Sequence, residues 1–323
     1  MERFLKSKFR TGAKLNESPF SLTYQGTTLS GEQPVIIKIY KRGTLNSTLI
    51  KDMKQKVKAL QGISHPHIAQ LMDGDYGWQG FYYVREYVEG SGLLELLKHR
   101  KFDLFEAEKL IIQVCEAIQA AHAQGIVHGS LKLTNVFVTR EGNVKVTDFI
   151  IEGEVKESLP QKAQLILRAE PSLTPEEILG SPARKASDIY NIGIILAEIA
   201  NGGPLASNFF SQLQKTTRVP ALPDGLPRYL EEILHKALQP DPLLRFKSVD
   251  DLLESLKHRT LIETRTNFDW PLIEMENQPR PEEKEVKIMK SERKRSFFLL
   301  WVVLLATLAG VLYSLINSYF LRQ

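Results

Sequence analysis

The sequence predicts an α+β fold in two lobes, a small β-rich one and then a larger helical one, with one membrane-spanning helix beyond them. Three observations predict it. The apolar period lengthens from two residues to three or four near Gly92, a polar loop between short apolar segments falls close to that change, and residues 296–321 carry no charge. A chain of 323 residues, 43% apolar and 25% charged, has material for one large core or two modest ones.

Lys14 to Thr28 and Pro34 to Tyr40 have strand character, Leu45 to Ile63 is helical in pattern, and Gly80 to Tyr87 is aromatic and extended. Together they suit a small twisted antiparallel sheet with one helix. Apolar residues three or four apart then mark helices over Leu93 to His99, Leu104 to Gln124, Ser187 to Ala200, Arg228 to Leu238 and Val249 to Leu256. Between them Ile126 to Val138 and Asn143 to Val146 read as short β segments flanking the loop of Ser130, where the lobes should meet. The net charge of +4 is mostly local and implies no nucleic-acid partner. Cys115, alone in an apolar stretch, forms no internal disulfide and fits a reducing compartment. The opening MERFLKSKFRTG lacks the apolar segment of a signal peptide.

Composition changes after Arg259. Glu276 to Arg295 reads as a solvated, charged tether, and Phe297 to Ile316 supplies an apolar helix of roughly 30 Å, enough to span a bilayer. Lys284, Lys287, Lys290, Arg293, Lys294 and Arg295 precede it and only Arg322 follows, so the two lobes are expected in the cytoplasm and the C-terminus on the far side. The expected organisation is a two-lobed domain over 1–258 (lobes about 9–88 and 89–258), a juxtamembrane linker over 259–295, a transmembrane helix over 296–316 and a tail over 317–323. Ala306, Gly310 and Ser314 set small side chains on one face of the span, a pattern that arises by chance or serves a homodimer.

Several motifs then fall in order: Lys38 in VIIK, His65-Pro66, Glu86-Tyr87-Val88, HGSLKLTN over His128 to Asn135, Asp148-Phe149, Thr174-Pro175-Glu176, Asp188 in SDIYNIG and Arg245 in PDPLLRF. Over residues 9–258 this set resembles the eukaryotic-like Ser/Thr protein kinases of bacterial receptor-like type. The resemblance implies the protein-kinase-like two-lobed fold. It implies ATP with Mg²⁺ as cofactor if the cleft still takes nucleotide, with Lys38, Glu86 and Val88 at nucleotide positions and Asn135 and Asp148 at metal positions. It makes Lys132 the catalytic-loop lysine, and gives Glu176, Asp188 and Arg245 the task of holding the larger lobe together.

The departures fall on the chemistry. Ser130 stands where the family has its catalytic Asp, and a hydroxyl is no proton acceptor near neutral pH. Asn16, Ser18 and Ser21 replace the three glycines of the phosphate loop, and Pro19 removes a donor. Ile36 replaces the alanine over the adenine, Lys56 the helix glutamate that should pair with Lys38, Gly129 the arginine beside the catalytic Asp, and Ile150 the glycine after Phe149. Arg85, just before the hinge, has two readings: a surface-directed strand residue, which is preferred because strand alternation is easily shifted by one, and an arginine on Asp148 in place of a metal ion. Lys38, Asn135 and Asp148 fit either a buried polar network or metal and nucleotide binding. The expected function is a membrane-tethered pseudokinase, a protein-binding or allosteric signalling module whose partner is another kinase or a signalling substrate. One alternative is a divergent low-turnover Ser/Thr kinase, and another is a non-switching membrane scaffold.

Overall fold

The computed structural model describes residues 4–5, 8–149, 173–205, 219 and 222–261. Ile150, the linker beyond residue 261, the expected span over 296–316 and the tail lie outside the described residues. Among the described residues no helix is long and apolar enough to cross a membrane.

Six antiparallel strands make the upper sheet: β1 (Phe4–Leu5), β2 (Phe9–Glu17), β3 (Ser21–Thr28), β4 (Pro34–Lys41), β5 (Leu71–Gly77) and β6 (Gly80–Glu86), in the order β1-β2-β3-β4-β6-β5. The β-branched run Val35-Ile36-Ile37 suits β4 to its central place. Alternation splits its side chains. Val35, Ile37 and Ile39 join Phe9, Tyr82 and Val84 in an outer cluster, while Tyr40 joins Phe81 and Tyr83 in the main core. Helix α1 (Ser47–Gln61) starts on Asn46, whose side chain accepts from Leu49 N at 2.8 Å, and buries Leu49, Met53, Val57 and Leu60. Gly74 lets it approach, since a Cβ there would stand 2.8 Å from Val57.

The lower lobe packs α2 (Leu93–His99), α3 (Leu104–Ala123), α4 (Pro175–Ile178), α5 (Lys185–Asn201), α6 (Arg228–Ala237) and α7 (Val249–His258). A capping box of Asp103 and Glu106 opens α3, and α5 is buried from Ser187 to Ile199, so both run through the core. A three-stranded sheet, β7 (Gly90–Gly92), β8 (Val136–Thr139) and β9 (Val144–Val146), lies at the junction. Ala69 N donates to Val146 O and Val146 N to His67 O, both at 2.8 Å, which ties the chain after α1 to this sheet.

The expected helices are present within a few residues, but the strands differ in two places. Lys14 to Thr28 is a hairpin bent at residues 18–20, and Ile126 to Val138 is extended as a strand only from Val136, after a 3-10 turn over Leu133–Asn135. Side-chain hydrogen bonds explain both. Ser18 caps the first turn and Asn135 folds back in the second.

Candidate functional site

The loop carrying Ser130 hangs from one buried carboxylate. Asp188, on α5 and fully buried, accepts His128 N and Gly129 N, each at 2.9 Å, and lies 2.8 Å from His122 Nε2. Gly129 holds φ +71, a left-handed turn that presents both amides to the carboxylate. The His128 ring accepts from Ser130 N on Nδ1 at 3.3 Å and donates from Nε2 to Thr147 O at 3.0 Å, which fixes its neutral tautomer. Asn135 Nδ2 donates to Ser130 O at 2.9 Å. Ser130 is therefore 1% exposed inside a backbone brace, and Lys132 beside it is half-buried.

The larger-lobe residues come together as the resemblance implies. Arg245 grips Glu176 through Nη1 at 2.8 Å and Nη2 at 2.7 Å, and Ser187 Oγ adds a third bond at 2.7 Å. Burial pushes the Glu176 carboxyl up, but the Arg245 and Ser187 bonds outweigh it and hold the group below its ordinary value.

Asp148 lies across the cleft with φ +62, a conformation Asp adopts more readily than most residues. Its Oδ1 accepts from Tyr83 Oη at 2.8 Å and from Arg85 Nε at 3.2 Å, and its Oδ2 lies 3.7 Å from Lys38 Nζ. The outward reading of Arg85 is thus corrected: the residue is 7% exposed and pairs with Asp148. β6 is buried on both faces from Gly80 to Arg85, so alternation between polar and apolar residues does not mark its parity. The register settles it, because Ile36 pairs with Arg85 and Lys38 with Tyr83, and residues directly opposite share a face. Burial and the adjacent Asp148 hold the Tyr83 hydroxyl well above its ordinary pKa, so it stays a donor.

At the hinge Val88 is buried, and the half-buried Glu86 forms an ion pair with Lys145, Nζ lying 2.7 Å from Oε1. Arg85 Nη1 donates to Glu86 O at 3.2 Å. Ile36 is 6% exposed. Above the cleft, the tip of the β2–β3 hairpin uses up its own donors. Ser18 N donates to Ser21 O at 2.8 Å, Phe20 N and Ser21 N donate to Ser18 Oγ at 3.2 and 2.9 Å, and Pro19 has no N–H. A phosphate cradle needs those amides turned outward.

Lys38, Asp148, Arg85, Tyr83 and Glu86 thus converge, while Ser130 and Asn135 belong to the loop brace. The sequence reading did not anticipate Tyr83, the Lys145–Glu86 pair or the Ser18 cap. Tyr83 was open to discovery, since it must share a face with Arg85 two residues on. Magnesium with nucleotide does not fit these residues as arranged: a guanidinium already stands on Asp148 and the loop-tip amides are engaged. Among the described residues no cluster of His, Cys, Asp and Glu offers another metal site.

The family profile for the protein kinase domain matches residues 9–259. The chain belongs to the protein kinase family. Its relatives place it on the eukaryotic-like Ser/Thr branch. Serine/threonine-protein kinase PrkC of Bacillus subtilis is 30% identical over 239 residues, 70% of this chain and 36% of that protein. The probable serine/threonine-protein kinase PknB of Lactococcus lactis is 28% identical over 276 residues, 81% of this chain and 44% of that protein. A probable serine/threonine-protein kinase of Clostridium perfringens is 26% identical over 264 residues, 79% of this chain and 38% of that protein. The chain thus spans well under half the length of these curated relatives. In fold it is similar to the Mycobacterium tuberculosis PknI kinase domain, with a TM-score of 0.61 over 78% of this chain and 96% of that one, at 15% identity.

Proposed function

We propose that this kinase-family chain is a pseudokinase: a protein-binding or allosteric signalling module, tethered to a membrane through residues 296–316 with its lobes on the cytoplasmic side. The observation that carries the reading is Ser130, a buried serine whose backbone is braced at the position of the family's proton-accepting carboxylate. A positioned base contributes roughly 10²- to 10⁴-fold to such a transfer. The engaged loop tip adds to that loss, whereas the Glu176–Arg245 and Asp188 contacts that hold the larger lobe are present. The partner class is another kinase or a signalling substrate.

The test is transfer of the ATP γ-phosphate by the full chain, to itself and to a general protein substrate, with Mg²⁺ and with Mn²⁺. No transfer above an Asp148→Ala control is expected, and saturating ATP should leave the melting temperature unchanged. A competent site at a hundredfold excess of ligand over Kd would add about 2.7 kcal/mol of stability. Transfer that disappears in Asp148→Ala would make the chain a low-turnover Ser/Thr kinase instead.

A further inference from the structure

Arg85 touches both ends of the cleft. Its Nε meets Asp148 Oδ1 at 3.2 Å, its Nη1 meets the Glu86 carbonyl at 3.2 Å, and its guanidinium lies 5.7 Å from the centroid of the Phe137 ring on β8. One side chain from the upper sheet thereby reaches the hinge, the junction sheet and the segment after β9. Lys145 makes a second crossing from β9, with Nζ at 2.7 Å from Glu86 Oε1 and 3.3 Å from Ile68 O. A kinase-family cleft that needs metal and nucleotide would leave Asp148 to the metal. Here Asp148 already faces two cations, Arg85 and Lys38, and a divalent ion added beside them meets repulsion from both.

We propose that Arg85 is a built-in occupant of the cleft: its guanidinium holds Asp148 in place of a metal ion and the Glu86 carbonyl in place of a ligand, so that the two lobes are joined without nucleotide. The proposal deepens the pseudokinase reading and rests on it, because a strut in this position is compatible with a binding module and blocks a cycling enzyme. The side chain is suited to the task. A guanidinium keeps its charge at any physiological pH and presents several donors in one plane, so a single residue satisfies two acceptors at once. Tyr83 steadies the same carboxylate oxygen from the same face of β6, two residues before Arg85.

The test uses the full chain with Mn²⁺ alone, free Mn²⁺ being counted by electron paramagnetic resonance. Arg85→Met should bind one Mn²⁺ at least tenfold more tightly than the wild type, and should lose that binding when Asp148→Asn is added. Its melting temperature should fall and be partly restored by Mn²⁺. Equal Mn²⁺ affinity in the wild type and Arg85→Met would overturn the proposal. A second measurement covers the case in which Arg85→Met fails to fold. Asp148→Asn preserves the tolerance of left-handed φ but leaves Arg85 and Lys38 facing each other, and should raise the unfolding constant more than tenfold; unchanged stability would overturn the strut. The two failures are distinguishable. Equal Mn²⁺ affinity without transfer would overturn the strut alone, whereas phosphate transfer by the wild type would overturn the pseudokinase reading together with the claim that the strut blocks a cycling enzyme.

Discussion

Glu176 and Asp148 are both carboxylates met by an arginine in this fold, yet they are held in different ways. Glu176 receives two parallel bonds from Arg245 and one from Ser187, and Arg245 gives its other N–H groups to the Gln239, Ala186 and Pro240 carbonyls while lying 4.6 Å from the Tyr190 ring. Asp148 receives one bond from Arg85 at 3.2 Å, one from Tyr83 and a longer approach from Lys38 at 3.7 Å. The first cluster is a saturated, bidentate brace. The second is an assembly of single contacts at the edge of a cleft, with Asp148 still 17% exposed. The contrast teaches that one kind of ion pair serves as a saturated brace inside the larger lobe and as a looser set of contacts at the cleft edge.

The largest expected effect comes from breaking the brace. Arg245→Met leaves Glu176 buried with only Ser187, and removing one partner of a buried pair costs about 3–5 kcal/mol. Urea unfolding of the variant should show that loss. It should also show a flatter acid limb. The Glu176 carboxyl is held below its ordinary 4.5 because Arg245 and Ser187 outweigh burial, so its contribution is present above about 4.5 and lost as pH falls through the lower folded value.

Another buried carboxylate, with no cationic partner among the described residues, sharpens the comparison. Glu198 on α5 is pushed up to about 7 by burial, with a backbone bond from Leu205 opposing the rise. A raised acid stabilises the fold below its unfolded value near 4.5 and loses that contribution as pH climbs through about 7. Glu198→Gln should therefore be more stable than the wild type at pH 8, by at most about 3 kcal/mol, and equal to it near pH 4. Thermal melts at the two pH values check this. The smallest effect belongs to the cleft. Ser18→Gly frees Phe20 N and Ser21 N from their cap and should lower stability by about 1 kcal/mol, readable as a small fall in the urea midpoint.

The ordered motifs single out Lys38, Glu86, Val88, Asn135, Asp148, Glu176, Asp188 and Arg245, because each depends on local spacing within a shared family pattern, and the structure brings Lys38 within 3.7 Å of Asp148 and Arg245 onto Glu176. The direction of Arg85 was not legible. A strand buried on both faces gives no polar alternation to read, and one residue of shift moves a side chain to the opposite face. Lys145 and Glu86 meet across 59 positions of sequence, and no local rule pairs them. The Ser18 cap lies between these cases. Its Ser-Pro-Phe-Ser setting suits a side-chain turn, but only the closed hairpin shows which amides that turn consumes.

By itself the sequence determined the two-lobed α+β architecture and the family, since hydrophobic period and motif order are properties of the chain. Only the tertiary structure decided what became of Asp148. A carboxylate takes whichever cations the fold brings within reach, and it was the β4–β6 register, pairing Ile36 with Arg85 and Lys38 with Tyr83, that set Arg85, Tyr83 and Lys38 around it.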